Sequence, residues 1–170
     1  MEEQKRTQTE QLVELLKKHD LSIATAESCT GGLVSTMLVD VPGVSQVFKE
    51  GFVTYSNKAK RRTLDVSKST IRKEGAVSEQ TAKEMAVGAA MMADADVAVS
   101  VTGNAGPEAE EEKPVGLVYI GVYIAGKVKV SECHFSGTRR EIREQAADEA
   151  IGLTLKLLQK NREKKEKEDK

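Results

Sequence analysis

Residues 96–101, Asp-Val-Ala-Val-Ser-Val, form an almost uninterrupted apolar run that ends on Thr102-Gly103-Asn104-Ala105-Gly106-Pro107. A strand with one wet face alternates apolar and polar residues, so a continuous run of this length reads as a strand buried on both faces. Such a strand requires helices above and below its sheet. That single requirement steers the chain towards a layered α/β fold.

The remaining sequence supplies the layers. Thr7 and Glu10 make a Thr-x-x-Glu capping box, and Leu12, Val13, Leu15 and Leu16 follow on one helical stripe. Residues 21–26 read as a strand, residues 28–32 as a tight turn, and Leu33, Val34, Met37, Leu38 and Val41 as a helix stopped by Pro42-Gly43. Residues 47–55 are β-rich, and short polar helical pieces occupy residues 57–74. Ser78 caps a longer helix with Ala82, Met85, Ala86, Ala89 and Ala93 facing inward. Residues 116–124 and 127–135, joined at Ala125-Gly126, read as a hairpin. A second capping box, Thr138 with Glu141, opens a long helix with Ile142, Ala146, Ala150, Leu153 and Leu157 on its core face. The order predicts a three-layer α/β/α sandwich around a mixed, mostly parallel sheet of about five strands. A single domain is expected over residues 1–158, with residues 159–170 as a charged, solvated, fraying helix end.

Composition narrows the function classes. Of 170 residues, 26 are Lys or Arg and 27 are Asp or Glu, a net charge of −1. A dedicated nucleic-acid binder carries a strong positive excess, so no nucleic-acid partner is expected. No segment approaches the roughly 20 apolar residues of a membrane span, and no apolar signal core precedes the first helix, so no membrane partner and a cytoplasmic location are expected. Two cysteines, Cys29 and Cys133, do not suggest a disulfide framework.

In open α/β sheets ligands bind beyond the carboxyl ends of the strands. Two segments meet that description. Thr25-Ala26-Glu27-Ser28-Cys29-Thr30-Gly31-Gly32 runs from the first strand into a helix; its glycines allow close backbone approach, and its N–H groups can hold a phosphate or an oxyanion. It offers three nucleophiles, Ser28, Cys29 and Thr30, each needing activation. His19 and His134, the only histidines, read as structural, and no residue cluster has metal-ligand spacing. A Ser/Lys arrangement is the better remaining option. The second segment, Val53-Thr54-Tyr55-Ser56-Asn57-Lys58-Ala59-Lys60, places a phenol and two amines beyond another strand end. A lysine becomes a general base only when burial or another cation lowers its pKa, and the pattern alone does not separate Lys58 from Lys60.

Ala26-Glu27-Ser28-Cys29-Thr30-Gly31-Gly32, Gly51-Phe52-Val53-Thr54-Tyr55-Ser56-Asn57-x-x-Lys60, Gly75-Ala76-Val77-Ser78, Ala105-Gly106-Pro107 and Lys113-Pro114-Val115-Gly116 resemble, in order and spacing, the motif series of the CinA C-terminal domain family. The resemblance covers the chain from about Leu21 to Leu158. It implies hydrolysis of nicotinamide mononucleotide to nicotinate mononucleotide and ammonia, without a metal or other cofactor. It assigns Ser28 as nucleophile, selects Lys60 over Lys58 as general base, and places Tyr55 and Thr102 in the same site, where Tyr55 is expected as a catalytic residue that helps relay or orient the serine proton. The substrate is then expected along Thr30, Gly31, Gly32, Thr102, Gly103 and Asn104, with the oxyanion held by N–H groups around Thr30 and Gly31. Family members occur fused behind another domain or alone, and this chain resembles the stand-alone form.

The chain departs from the family pattern at Asn104, where an apolar residue is usual, and at Glu108-Ala109-Glu110-Glu111-Glu112, which carries no glycine. These carboxylates would repel a phosphate, so they are expected to face solvent. Two rival functions remain: an amidase using Cys29, since a helix N-terminus lowers a thiol pKa, and a non-catalytic nucleotide-sensing module. The alanine-rich helix after Ser78 could provide a homodimer face.

Overall fold

The computed structural model describes residues 6–170. The elements run α1 (Gln8–Lys18), β1 (Ile23–Glu27), α2 (Leu33–Val39), a 3-10 turn (Val44–Gln46), β2 (Phe48–Val53), α3 (Asn57–Leu64), α4 (Lys68–Glu74), α5 (Glu79–Ala93), β3 (Val97–Gly103), β4 (Leu117–Ile124), β5 (Lys127–His134) and α6 (Arg139–Glu168). Both capping boxes form, with Thr7 and Thr138 each exchanging hydrogen bonds with the glutamate three residues on.

The five strands make one sheet in the order β2-β1-β3-β4-β5. β1 lies parallel to β2 and β3, and β3-β4 and β4-β5 are antiparallel, so four of the five strands point the same way. Helices α1, α2 and α6 cover one face, and α3, α4 and α5 the other. This is the expected three-layer sandwich.

β3 shows why both faces are dry. Its odd residues Val97, Val99 and Val101 point into a core of branched side chains under α1, α2 and α6. Its even residues are small or polar: Ala98 packs under α5, Ser100 donates to the Ala82 carbonyl and Thr102 to the Ala76 carbonyl. Small residues bring α5 close to the sheet. A Cβ on Gly121 would stand 2.8 Å from the Ala82 carbonyl oxygen. The alanines of α5 that suggested a dimer face are therefore buried against their own sheet, and its exposed apolar residues are Val87, Met91 and Met92.

On α6 the core stripe runs through Ile142, Ala146, Ala150, Ile151, Leu155 and Leu158, leaving Leu153 and Leu157 half-buried on its edge. The helix continues through the charged run to Glu168 with its last turns in solvent.

One topological feature places the site. The chain leaves β1 towards the α2 face and leaves β2 towards the α3 face, so a crevice opens between the carboxyl ends of these adjacent parallel strands.

Candidate active site

Ser28 is the first residue beyond β1. Its N–H donates to the Val101 carbonyl at 3.0 Å, extending the β1-β3 ladder, while the Thr54 N–H donates to the Glu27 carbonyl at 2.9 Å. The backbone on either side of Ser28 is thus held by both neighbouring strands. Lys60 comes from the other side of the crevice. Ser56 caps α3 by accepting the Ala59 N–H, and because helical side chains tilt towards the N-terminus, Lys60 reaches back beneath the turn that precedes its own helix. Residues two apart on a helix differ by about 200° in direction; accordingly Lys60 is 1% exposed while Lys58 faces solvent.

The Lys60 Nζ lies 2.9 Å from each of three acceptors: Ser28 Oγ, the Thr54 carbonyl and the Tyr55 carbonyl. Burial pushes its pKa down to about 8, against the smaller opposing pull of Cys29 and Glu111. Two carbonyls suit the two N–H bonds of a neutral amine, which leaves the lone pair directed at the Ser28 hydroxyl. The same three acceptors also suit an ammonium, so the pocket accommodates both protonation states.

The turn after β1 is organised by a residue the sequence reading did not single out. Glu27 is fully buried, and its carboxylate accepts from the N–H groups of Gly32, Val34 and Ser35 and from the Ser35 hydroxyl. The Gly31 N–H donates to the Ser28 carbonyl. This removes Gly31 from the expected oxyanion donors around Thr30 and Gly31, because its N–H is already bonded internally. Among the described residues, the N–H groups of Cys29 and Thr30 have no such partner. Arg143 of α6 takes the Cys29 and Thr30 carbonyls at 2.9 and 3.0 Å, which turns the trans-related Thr30 N–H the opposite way.

A cleft of about 350 Å³ opens on the pair and includes Tyr55, Thr102, Gly103, Asn104 and Arg139 in its walls. Thr30, Gly31 and Gly32 are not part of it. Thr30 is fully buried, and the two glycines supply the positive φ of the turn, 59° and 107°. Thr102 ties the end of β3 to the loop before α5 through the Ala76 carbonyl. Asn104 is a staple: its side chain accepts the Gly106 N–H and donates to the Lys113 carbonyl. Gly103 is required by close approach, since a Cβ there would stand 2.6 Å from a Val118 methyl. Tyr55 presents its main-chain carbonyl to Lys60, whereas its phenol accepts from Arg139 at the cleft mouth.

Arg139 and Arg143 were also missed. A signal existed: Arg139, Arg140 and Arg143 crowd the first turns of α6, where the helix dipole disfavours cations. The acidic loop needs a correction too. Glu108, Glu110, Glu111 and Glu112 are exposed, but Glu110 and Glu111 also line the cleft, and Glu111 is bonded to the N–H groups of Ala76 and Val77.

The other candidates are set apart. Cys29 is buried, and burial pushes its thiol up to about 11. His19 caps α1, and His134 meets Glu132 on β5 at 2.8 Å. No described helix is long and apolar enough to cross a membrane.

The fold and the crevice define an α/β/α domain with a buried Ser–Lys pair at the carboxyl end of its sheet. Residues 5–158 match the family model described as the CinA C-terminal domain, and the chain belongs to that family. A relative from Clostridium beijerinckii, whose name refers to competence-damage induction, is 49% identical over 150 residues, covering 88% of this chain and 37% of the relative. A CinA-like protein of Kosmotoga olearia is 51% identical over 148 residues, 86% of this chain and 36% of that protein. The chain thus spans a little over a third of the length of these curated relatives. The crystal structure of a CinA superfamily protein from Escherichia coli superposes with a TM-score of 0.87 at 36% identity, covering 88% of both chains.

Proposed function

We propose that the protein is an amidohydrolase that converts nicotinamide mononucleotide and water to nicotinate mononucleotide and ammonia, with Ser28 as nucleophile and Lys60 as general base. The observation that carries this reading is the 2.9 Å contact between Ser28 Oγ and a fully buried lysine amine. A lysine in solution is protonated and cannot accept the serine proton; one held near 8 presents a neutral amine in a usable fraction at neutral pH and a majority above 8.

Ser28 Oγ attacks the carboxamide carbon as its proton passes to the Lys60 amine. The negative charge that develops on the carbonyl oxygen is taken by the N–H group of Cys29, which lines the cleft and has no partner among the described residues; such a donor is worth about 3 to 4 kcal/mol. The Lys60 ammonium returns the proton to the departing nitrogen, the C–N bond breaks, and ammonia leaves an acyl-serine. Water, deprotonated by Lys60, attacks that ester, and the proton goes back to Ser28 as nicotinate mononucleotide departs. Arg139, which has no carboxylate partner among the described residues, is suited to the substrate phosphate.

The test is ammonia release by purified protein from nicotinamide mononucleotide. Steady turnover that disappears in Ser28→Ala is the expected outcome. Tight nucleotide binding without ammonia would move the protein to the nucleotide-sensing class, and full activity in Ser28→Ala would move the chemistry to another nucleophile.

A further inference from the structure

Glu111 stands in a tight turn in which the Lys113 N–H donates to the Glu110 carbonyl at 2.8 Å and the two residues pair as an isolated antiparallel bridge. The central residues Glu111 and Glu112 have φ of 53° and 60°. Such left-handed turns ordinarily take Asn and Gly, because a Cβ is crowded there. Glutamate is a poor choice for that backbone, so what sets it apart at this position is its side chain.

That side chain reaches across the cleft mouth. Glu111 Oε1 accepts the Ala76 N–H at 3.1 Å, and Oε2 accepts the Val77 N–H at 3.2 Å. Gly75 leaves the space for it: a Cβ at that position would stand 2.5 Å from Glu111 Oε2. Ala76, Val77 and Glu111 belong to the same cleft as Ser28 and Lys60. The same cleft is lined by Arg139, which turns its guanidinium to a phenol and a carbonyl rather than to Glu110 or Glu111. The cleft therefore holds Arg139 without a carboxylate partner among the described residues, and a pair of backbone donors already filled by an anion of the chain itself. Two parallel N–H donors that hold a carboxylate by both oxygens match two oxygens of a phosphate equally well.

We propose that Glu111 is a charge gate: its carboxylate occupies the Ala76 and Val77 N–H groups that the phosphate of a mononucleotide would otherwise take, and it must swing out for that phosphate to seat. The substrate part of this proposal rests on the amidohydrolase reading. The gate penalises the phosphorylated substrate relative to its phosphate-free riboside, because only the former both competes for the donor pair and is repelled by the carboxylate.

Glu111→Gln tests it, since the amide keeps the shape of the side chain and one acceptor for the loop while removing the charge. Two measurements are made on wild type and variant. In the first, inorganic phosphate is titrated while the amide resonances of Ala76 and Val77 are followed by NMR. In the second, KM is measured for nicotinamide mononucleotide and for nicotinamide riboside. Phosphate should shift both amides and bind about tenfold tighter to Glu111→Gln, and KM should fall about tenfold for the mononucleotide alone, the equivalent of about 1.4 kcal/mol. Amides of Ala76 and Val77 that ignore phosphate in both proteins overturn the gate. So do KM values that move together for the two substrates, which would make Glu111 a loop staple only. Turnover of neither substrate would sink the amidohydrolase reading, while the phosphate titration would still decide the gate.

Discussion

Two turns leave the carboxyl ends of adjacent parallel strands, and each wraps around a buried charged side chain with opposite results. After β1 the backbone points N–H groups inward, and the Glu27 carboxylate accepts three of them plus the Ser35 hydroxyl. After β2 the backbone points carbonyls inward, and the Lys60 amine meets two of them plus the Ser28 hydroxyl. Three backbone N–H groups and one hydroxyl hold both oxygens of the Glu27 carboxylate in place. Three acceptors around an amine, one of them a hydroxyl that can also donate, satisfy both forms. A buried charge fully solvated by donors is a strut; one whose partners tolerate proton loss is equipped to be a base.

The largest expected effect breaks the second turn. Lys60→Ala and Lys60→Arg should each lower kcat/KM for the mononucleotide by about 10³-fold or more, because a guanidinium keeps the charge but does not give up its proton. Circular dichroism should remain native. If Lys60→Arg retained wild-type activity, the amine would be acting only as a positive charge.

The first turn should break differently. Glu27→Gln replaces an acceptor oxygen with an NH2 group facing N–H donors, so unfolding free energy should fall by about 2 to 4 kcal/mol, or roughly 10 °C in melting temperature for a domain of this size. The kcat of the remaining folded protein should stay within a few fold of wild type. A native melting curve combined with lost turnover would reverse the roles assigned to the two turns.

Proton linkage sharpens the same contrast at a smaller scale. The rate should rise with pH through about 8, as Lys60 loses its proton. Stability should rise over the same range. Between the folded pKa near 8 and the ordinary value of 10.5, the unfolded chain binds the proton that the folded one has released. Unfolding free energy then grows with pH by up to about 1.4 kcal/mol per unit. Cys29 acts with the opposite sign: its folded thiol, pushed up to about 11, stays protonated where the unfolded one ionises from about 9. The clean window is therefore pH 8 to 9. Urea midpoints measured across it should rise in wild type and stay flat in Lys60→Met.

Much of this was legible in the sequence. The run at residues 96–101 required two dry faces, and the capping boxes at Thr7 and Thr138 fixed two helix starts. Ser28 stood out because a small-residue turn followed a strand. Lys60 was separable from Lys58 only through the family resemblance, because the sequence does not give the phase of a short polar helix relative to its sheet. Three parts of the site left weaker traces. Arg143 meets the Cys29 carbonyl across 114 residues, a pairing that no local pattern encodes. The Tyr55 contribution to Lys60 is a carbonyl, and main-chain roles have no side-chain signature. The acidic loop is exposed as expected, but the bonds from the Ala76 and Val77 N–H groups to Glu111 lie across 35 and 34 residues, and no local pattern encodes them.

The smallest expected effect lies beside the nucleophile. Thiolate is the better intrinsic nucleophile, and Cys29 stands at the start of the turn, which would favour it over Ser28 if it were exposed and ionised. It is neither, with 6% of its surface exposed and burial holding its pKa near 11. Ser28 Oγ, not the thiol, is the atom in contact with Lys60. Cys29→Ala should therefore keep activity within a few fold and lower stability by about 1 kcal/mol, as for the loss of a single buried atom. Iodoacetamide at pH 8 should leave the folded enzyme active and label the thiol only as the chain opens. Rapid inactivation, with mononucleotide protecting, would place the sulfur in the cleft as a reacting group and transfer the nucleophile from Ser28 to its neighbour.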